Sequence, residues 1–500
     1  MKTIHCATID GFDAKVVDVE VAFVRALPSF TIVGLAQTSI QESKERVKSA
    51  LSTIDFKFPP QKVTVNLSPS DLRKEGSHFD LPIALLIALQ KEKFSFDGFM
   101  AFGELGLDGT LKDTNSLFAI VLSLTQEGLI SKVIIPKESV EKISKIPSLE
   151  IYPAQNLKEA LDIFMLPSEA IPLGQASALM IASNDEQVST YNEAYELDFK
   201  DIKGQEIAKR ASLIAAAGMH NILYEGSPGC GKSMSAKRLQ YILPLMNDEE
   251  ILYKAKLDAL DGIEPDFKPL RPSRSPHHSS TRASIFGGGS KSAKIGEVAL
   301  AHNGILYFDE FPHFSKTILE SLREPLEDYS VLISRVNSKI KYPTKFLFVA
   351  SMNPCPCGNL LSTKKDCRCS DLEVKRYKNR LSSPLLDRID LYVQMDEITI
   401  EDKSTITSAQ MHEKVKLAFL AQKRREQSEL NGKMNDGDIE KFCTLDSDSQ
   451  KILDNAINRF DLSQRAIKKS LKVARTIADL EGSEMILKVH LLESLSYRIK

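Results

Sequence analysis

Gly226-Ser-Pro-Gly-Cys-Gly231-Lys232-Ser233 is the stretch on which the fold turns. It fits the phosphate-loop pattern G-x-x-x-x-G-K-[ST], with an apolar run (221–225) before it and a helical stretch after it. The chemistry needs that context. A strand delivers the loop, glycines let backbone N–H groups turn inward around phosphate oxygens, and a helix start adds favourable partial positive charge. The expected nucleotide-binding set is therefore Gly226, Ser227, Pro228, Gly229, Cys230, Gly231, Lys232 and Ser233. Lys232 is expected to reach the β- and γ-phosphates of ATP, and Ser233 to ligate Mg²⁺. Cys230 reads as a small spacer. The alternative, a chance glycine-rich turn, does not explain why strand and helix flank it.

Working outward, Gly304-Ile-Leu-Tyr-Phe-Asp309-Glu310 is a short apolar strand that ends in two acids. Asp309 suits the Mg²⁺ shell and Glu310 suits polarising an attacking water. Phe346-Leu-Phe-Val-Ala-Ser-Met-Asn353 is a third buried strand with an amide at its tip, placed to orient the water or touch the γ-phosphate. Asn353 also precedes Pro354, a common turn use. Arg388, in Ser383-Pro-Leu-Leu-Asp-Arg388-Ile-Asp390, could stabilise transition-state charge on a neighbouring subunit's nucleotide. It could equally pair on the surface with Asp387 or Asp390. Arg465 follows Ser463, a plausible N-cap, and could reach phosphate or remain a solvated first-turn residue.

The bulk numbers bound the rest. Five hundred residues exceed one ordinary core, so two to four domains are expected. A net charge of −2 means that any nucleic-acid contact is made by a local patch. There is no signal peptide or membrane span, and the apolar stretch 81–89 suits a buried helix, so a cytoplasmic protein is expected. Residues 1–165 alternate β-like runs (16–24 and 62–66) with an amphipathic helix (39–51), and Asp108-Gly109 marks a hairpin turn. Residues 166–197 read as a linker, 198–397 as a parallel α/β ATPase domain and 398–500 as helical.

Four of the seven cysteines cluster as Cys355-x-Cys357 and Cys367-x-Cys369. Four thiolates could hold a structural Zn²⁺; the alternative is four reduced cysteines in a loop, since C-x-C is tighter than the usual spacing. The basic segment 271–294, with Arg271, Arg274, Arg282, Lys291 and Lys294, suits a phosphate backbone. Its alternatives are a solvated loop or a contact of His277 and His278 with the nucleotide pocket. The run Lys414, Lys416, Lys423, Arg424 and Arg425 reads rather as a solvated helix face.

With these motifs in order, the chain resembles the YifB/ComM family of Mg-chelatase-like AAA+ ATPases. Further strings carry the likeness: Phe30-Thr-Ile-Val-Gly-Leu35, Lys74-Glu-Gly-Ser-His-Phe-Asp-Leu-Pro-Ile83, Arg271-Pro-Ser-Arg-Ser-Pro-His-His278, Gly296-Glu-Val-Ala-Leu-Ala-His-Asn-Gly304 and Asn353-Pro-Cys-Pro-Cys-Gly358. The resemblance implies an N-terminal Lon-protease-like domain of ribosomal-S5-like α+β fold, a central AAA+ core and a C-terminal helical lid. It implies a homo-hexameric ring with ATP at subunit interfaces, Arg388 as the trans finger and Arg465 as a second sensor. It also implies action on single-stranded or branched DNA, as a helicase-like branch-migration factor in recombination or natural transformation.

Protease activity is not expected. Matching to the Lon nucleophile loop puts His78, not Ser77, at the nucleophile position, and Phe118 where the lysine base belongs. Ser77 and Lys112 remain a less favoured pair, and a serine without its base stays unactivated. The rival readings are a magnesium-chelatase-type motor subunit and a nucleotide-gated chaperone or scaffold.

Overall fold

The computed structural model describes residues 2–92, 98–165, 172–173, 196–288, 294–334, 339–399, 402–460 and 462–498. They form two compact units of mixed α/β structure. The first comprises Met1–Ser189, Asn247–Lys268 and Ser338–Ile340; the second comprises Thr190–Met246, Pro269–Asn337 and Lys341–Lys500. Of the expected linker 166–197, all but residues 172–173 and 196–197 lie outside the described residues.

In the first unit the β-branched runs become strands Asp13–Val24 and Lys62–Ser68, neighbours in one sheet. The sheet runs Ser29–Val33, Lys62–Ser68, Asp13–Val24, Thr3–Asp10, Phe99–Ala101, Lys132–Pro136, Glu150–Ala154. Its pairing is antiparallel around Asp13–Val24 and parallel from Thr3–Asp10 to Glu150–Ala154. Helix Thr38–Thr53 buries Ile40, Ser43, Val47, Ala50 and Leu51, one stripe at helical spacing. Helix Asp80–Ala88 is buried from Asp80 to Ile87, as its apolar run 81–88 demands, and the buried Asp80 pairs with Arg46 at 2.6 Å. Each of its large aliphatic side chains contributes about 1.5–3 kcal/mol by leaving water. The expected hairpin is present as Glu104–Leu105 against Leu111–Lys112, with Gly109 at φ 82° in the turn.

Helix Asp248–Leu260 falls in sequence within the range expected for the ATPase domain, yet it packs in the first unit. Leu252, Ala255 and Ala259 join that core, Phe267 meets the Phe118 ring at 5.4 Å, and Lys256 bonds Asp13 at 2.9 Å.

The second unit is built on a parallel sheet ordered Ser273–Arg274, Ile305–Phe308, Leu347–Met352, Ile222–Gly226, Leu391–Met395. Every residue of the three central strands is buried, which is why they read as unbroken apolar runs. After residue 402 the described chain is helical: Ser408–Arg424, Asp436–Phe442, Ser447–Phe460, Gln464–Leu480 and Lys488–Ser496. Ser463 caps Gln464–Leu480 by accepting from the Ala466 N–H. No helix among the described residues is long and apolar enough to cross a membrane.

Candidate nucleotide site

Three neighbouring parallel strands end at one edge of the second sheet, and each hands over a polar residue there. Ile222–Gly226 runs into the phosphate loop, Ile305–Phe308 into Asp309 and Leu347–Met352 into Asn353. Open α/β sheets bind ligands at this edge because the strand ends present side chains and N–H groups to a crevice. The loop turns through Gly229 (φ 83°) and Gly231 (φ 101°), in the left-handed region that side chains disfavour. Nothing lies within 4 Å of where a Gly229 Cβ would stand, so the open space on that side suits a phosphate.

Lys232 and Asn353 are brought together: the Lys232 Nζ donates to Asn353 Oδ1 at 3.1 Å, and also to the carbonyls of Gly226 (2.6 Å) and Ser227 (3.0 Å). Burial pulls the Lys232 pKa below its ordinary value, opposed by Asp309 and Glu310 among others. Ser233 and Asp309 are also brought together, with Ser233 Oγ donating to Asp309 Oδ2 at 3.1 Å. Ser351 donates to the other Asp309 oxygen. Burial would raise the Asp309 carboxyl, but the hydroxyls of Ser351, Tyr307 and Ser233 outweigh it and hold the group below the usual range. A carboxylate kept ionised beside a serine hydroxyl is a donor set that fits Mg²⁺.

Glu310 is exposed beside Asp309 and sits at φ 51°, a left-handed conformation unusual for a non-glycine residue. Such strain of about 1–3 kcal/mol persists where surrounding structure enforces it, commonly at functional sites. His278 Nδ1 lies 3.8 Å from Glu310 Oε2, and its ring stacks on His277 with centroids 4.1 Å apart. The histidine pair therefore faces the acidic end of the strand.

Arg271 overturns part of the basic-segment reading. It is 4% exposed and donates to the carbonyls of Pro244 and Asn303, so it ties loops together. Arg274 is half-buried, Arg282 and Lys294 are exposed, and Lys291 lies outside the described residues. In the second basic run, Lys414, Lys423 and Arg424 are exposed, but Arg425 pairs with Asp479 at 2.6 Å.

Arg388 and Arg465 do not reach the phosphate loop within this chain; they meet each other's partner. Both ion-pair with Glu327, Arg465 at 3.0 Å. Arg388 is 7% exposed and also donates to the Pro384 carbonyl. The surface pairing with Asp387 or Asp390 is thus corrected: Asp390 instead turns inward to accept the Asn221 N–H at 2.9 Å. Sequence reasoning missed Glu327, Ser351 and Lys378, which pairs with buried Glu225 at 3.0 Å. Glu327 and Lys378 belong to no motif, Ser351 lies within the strand that leads to Asn353, and the roles of all three arise from tertiary placement.

The four clustered cysteines converge, their sulfurs all within 4.8 Å of one another. In the first unit, Ser77 Oγ donates to the Glu104 carboxylate, while Lys112 sits opposite Glu104 on the paired strand. His78 and Phe118 are fully buried.

Comparison with known proteins agrees along the chain. Residues 198–403 match the family described as Magnesium chelatase, subunit ChlI; residues 19–139 match Subunit ChlI of Mg-chelatase; residues 405–498 match the ChlI C-terminal family. The chain is 39% identical to the competence protein ComM of Haemophilus influenzae over 499 residues, which is 98% of this chain and 95% of that one. It is 36% identical to YifB of Salmonella typhimurium, over 99% of this chain and 96% of YifB. Identity to the Escherichia coli YifB is 35%, over 100% of this chain and 97% of YifB. With likeness of this extent spanning both units and the strand-end site, the chain belongs to the YifB/ComM family of Mg-chelatase-like AAA+ ATPases.

Proposed function

We propose that the protein is an ATP-driven motor that works on DNA as a homo-hexameric ring, moving branched junctions during recombination or natural transformation. The observation that carries the reading is the pair of contacts at adjacent strand ends, Lys232 with Asn353 and Ser233 with Asp309. The loop N–H groups and Lys232 would hold the phosphates of ATP, and Ser233 and Asp309 would hold Mg²⁺. Bound Mg²⁺ would supply charge neutralisation at the phosphoryl oxygens. Glu310 polarises the attacking water, with His278 as its nearest basic neighbour. Asn353 fixes the water's orientation. Arg388 acts on a neighbouring protomer's nucleotide and Arg465 senses it, once assembly draws both from Glu327.

The DNA substrate rests on the family likeness to a competence protein, and on the exposed Arg282 and Lys294. We read the first unit as a Lon-like domain that no longer cleaves peptides. In support, the residue at the nucleophile position, His78, is sealed in the core, and Ser77 is held by a carboxylate. The matches to a magnesium chelatase subunit make a metal-insertion motor the competing reading.

Branch migration of a synthetic four-way junction tests the proposal. The wild-type chain moves the junction with ATP, and Glu310→Gln binds ATP without moving it. Equal movement by the two would remove Glu310 from the mechanism. ATPase activity stimulated only by a protein partner, and not by DNA, would replace the motor with a chaperone or scaffold.

A further inference from the structure

We propose that Cys355, Cys357, Cys367 and Cys369 form a structural zinc site that clamps Asn353 and the phosphate loop in register. Three of the sulfurs have the spacing of ligands on a single tetrahedral metal, and Cys369 Sγ lies within 4.8 Å of them. Cys355 Sγ lies 3.4 Å from Cys357 Sγ and 3.7 Å from Cys367 Sγ, and Cys357 and Cys367 are 3.6 Å apart. A Zn–S bond of about 2.3 Å in a tetrahedron sets S···S edges of about 3.8 Å. A disulfide would need about 2.05 Å. A four-iron cluster, which places each cysteine on a separate iron, spreads its thiolates wider than a single ion does.

The surroundings are those of a thiolate site. The N–H groups of Asn359 and Arg368 point at Cys357 Sγ, and that of Cys369 at Cys367 Sγ. N–H groups aimed at sulfur are the kind of outer partner that orients a metal-bound thiolate. Cys355 is fully buried, while the other three are accessible, so an ion can enter from the surface. Pro354 and Pro356 fix the backbone on either side of Cys355, which makes a C-x-C bite workable at tighter spacing than usual. All four positions are filled by sulfur, so the site is structural.

What the site holds follows from what the turn touches. Gly358, at φ 80°, lies so close to the phosphate loop that a Cβ there would meet Pro228 at 2.7 Å. Ser362 and Thr363 bind Glu397, just past strand Leu391–Met395, at 2.5 and 3.0 Å. Cys369 leads into helix Asp371–Lys378, capped by Ser370, and that helix sends Lys378 to Glu225 at the end of the strand before the phosphate loop. Residues 354–378 thus span the ends of three strands with little hydrophobic core of their own. A metal staple supplies the rigidity that such a segment cannot draw from burial. The coupling to Asn353 rests on the ATPase reading above; the metal site does not.

Metal analysis of the full chain, purified without added metal, is the test. One zinc per chain is expected. Cys357→Ser with Cys369→Ser loses it, and Cys443→Ala, outside the cluster, keeps it. Cobalt replacing zinc gives the visible bands of a tetrahedral tetrathiolate centre. A wild-type chain without zinc, with four freely titrating thiols and no cobalt uptake, overturns the site even if the double variant fails to fold; stoichiometric iron overturns the assignment to zinc. For the coupling, zinc stripped from the wild-type chain by a thiol-reactive chelation protocol lowers ATPase kcat about tenfold or more, because Asn353 is displaced. Full ATPase without zinc overturns the clamp. Stoichiometric zinc in a chain that never hydrolyses ATP leaves the metal site standing and fells the proposed function instead.

Discussion

Each unit gathers one group of polar residues, a single loop in the first and three strand ends in the second, and the two are built in opposite ways. In the first unit, residues 74–80 carry a lysine, a serine, a histidine and an aspartate, but each is consumed internally. Lys74 donates to the Pro69 carbonyl, Ser77 to Glu104, His78 to the Ala7 carbonyl at 2.8 Å, and Asp80 accepts from Arg46 at 2.6 Å. In the second unit, Lys232, Ser233, Asp309, Glu310 and Asn353 converge on a strand edge that is only half-buried or open. The lesson is that residue types alone do not make a site. A site needs its polar groups gathered where a ligand can enter and exchange their internal bonds for its own.

The sharpest way to break that contrast is Lys232→Ala. It removes the ammonium that the phosphate loop itself carries, and about a thousandfold loss of kcat is expected in a phosphate-release assay. An intact rate would mean that the edge is not where phosphate is handled.

Next in size is the acid sensitivity of the sealed loop. Burial pushes the His78 imidazole from its ordinary 6.5 down to about 4, although its bond to Ala7 works the other way. The folded pKa is depressed, so the unfolded chain binds the extra proton first. The associated stability is fully present above pH 6.5 and is lost as pH falls toward 4. The shift corresponds to about 3 kcal/mol. Denaturant titrations of wild type and His78→Phe across this window will show a shallower pH slope for the variant; parallel slopes would mean that His78 is solvated. Buried His220, also depressed chiefly by burial, contributes the same sign in both proteins.

The smallest effect sharpens the comparison by its absence. Ser77→Ala should leave ATPase within about twofold, since the substitution touches no strand-end group. Casein-type substrates should stay uncleaved by wild type and variant alike; peptide hydrolysis that disappears with Ser77→Ala would show a working nucleophile.

Much of this was legible in the sequence because local signals and tertiary outcome agree. Fully buried parallel strands must be apolar throughout, so Ile305–Phe308 and Leu347–Met352 announce themselves, and the residues after them are forced to the same edge by parallel register. The regular stripe of Ile40, Val47 and Leu51 fixed a helix for the same reason. What stayed hidden depends on long-range pairing. Glu327 gathers two arginines far from it in sequence, so Arg388 could only be matched with the nearby Asp387 or Asp390. Arg271 looked like surface charge because carbonyl acceptors leave no mark in composition. The cysteine spacing suggested a metal but could not report that the four sulfurs converge to within 4.8 Å of one another.

Helix Asp248–Leu260 has a consequence for how this protein can be divided. Because Leu252, Ala255 and Ala259 complete the interior of the first unit, a product terminated at the apparent boundary near residue 197 would lack three of its own interior side chains. On the ribosome the helix that fills this interior emerges only after the phosphate loop, and the last piece of the unit, Ser338–Ile340, only after Asp309. Dissecting the polypeptide into parts therefore calls for circular rearrangement or coexpression, not a single cut.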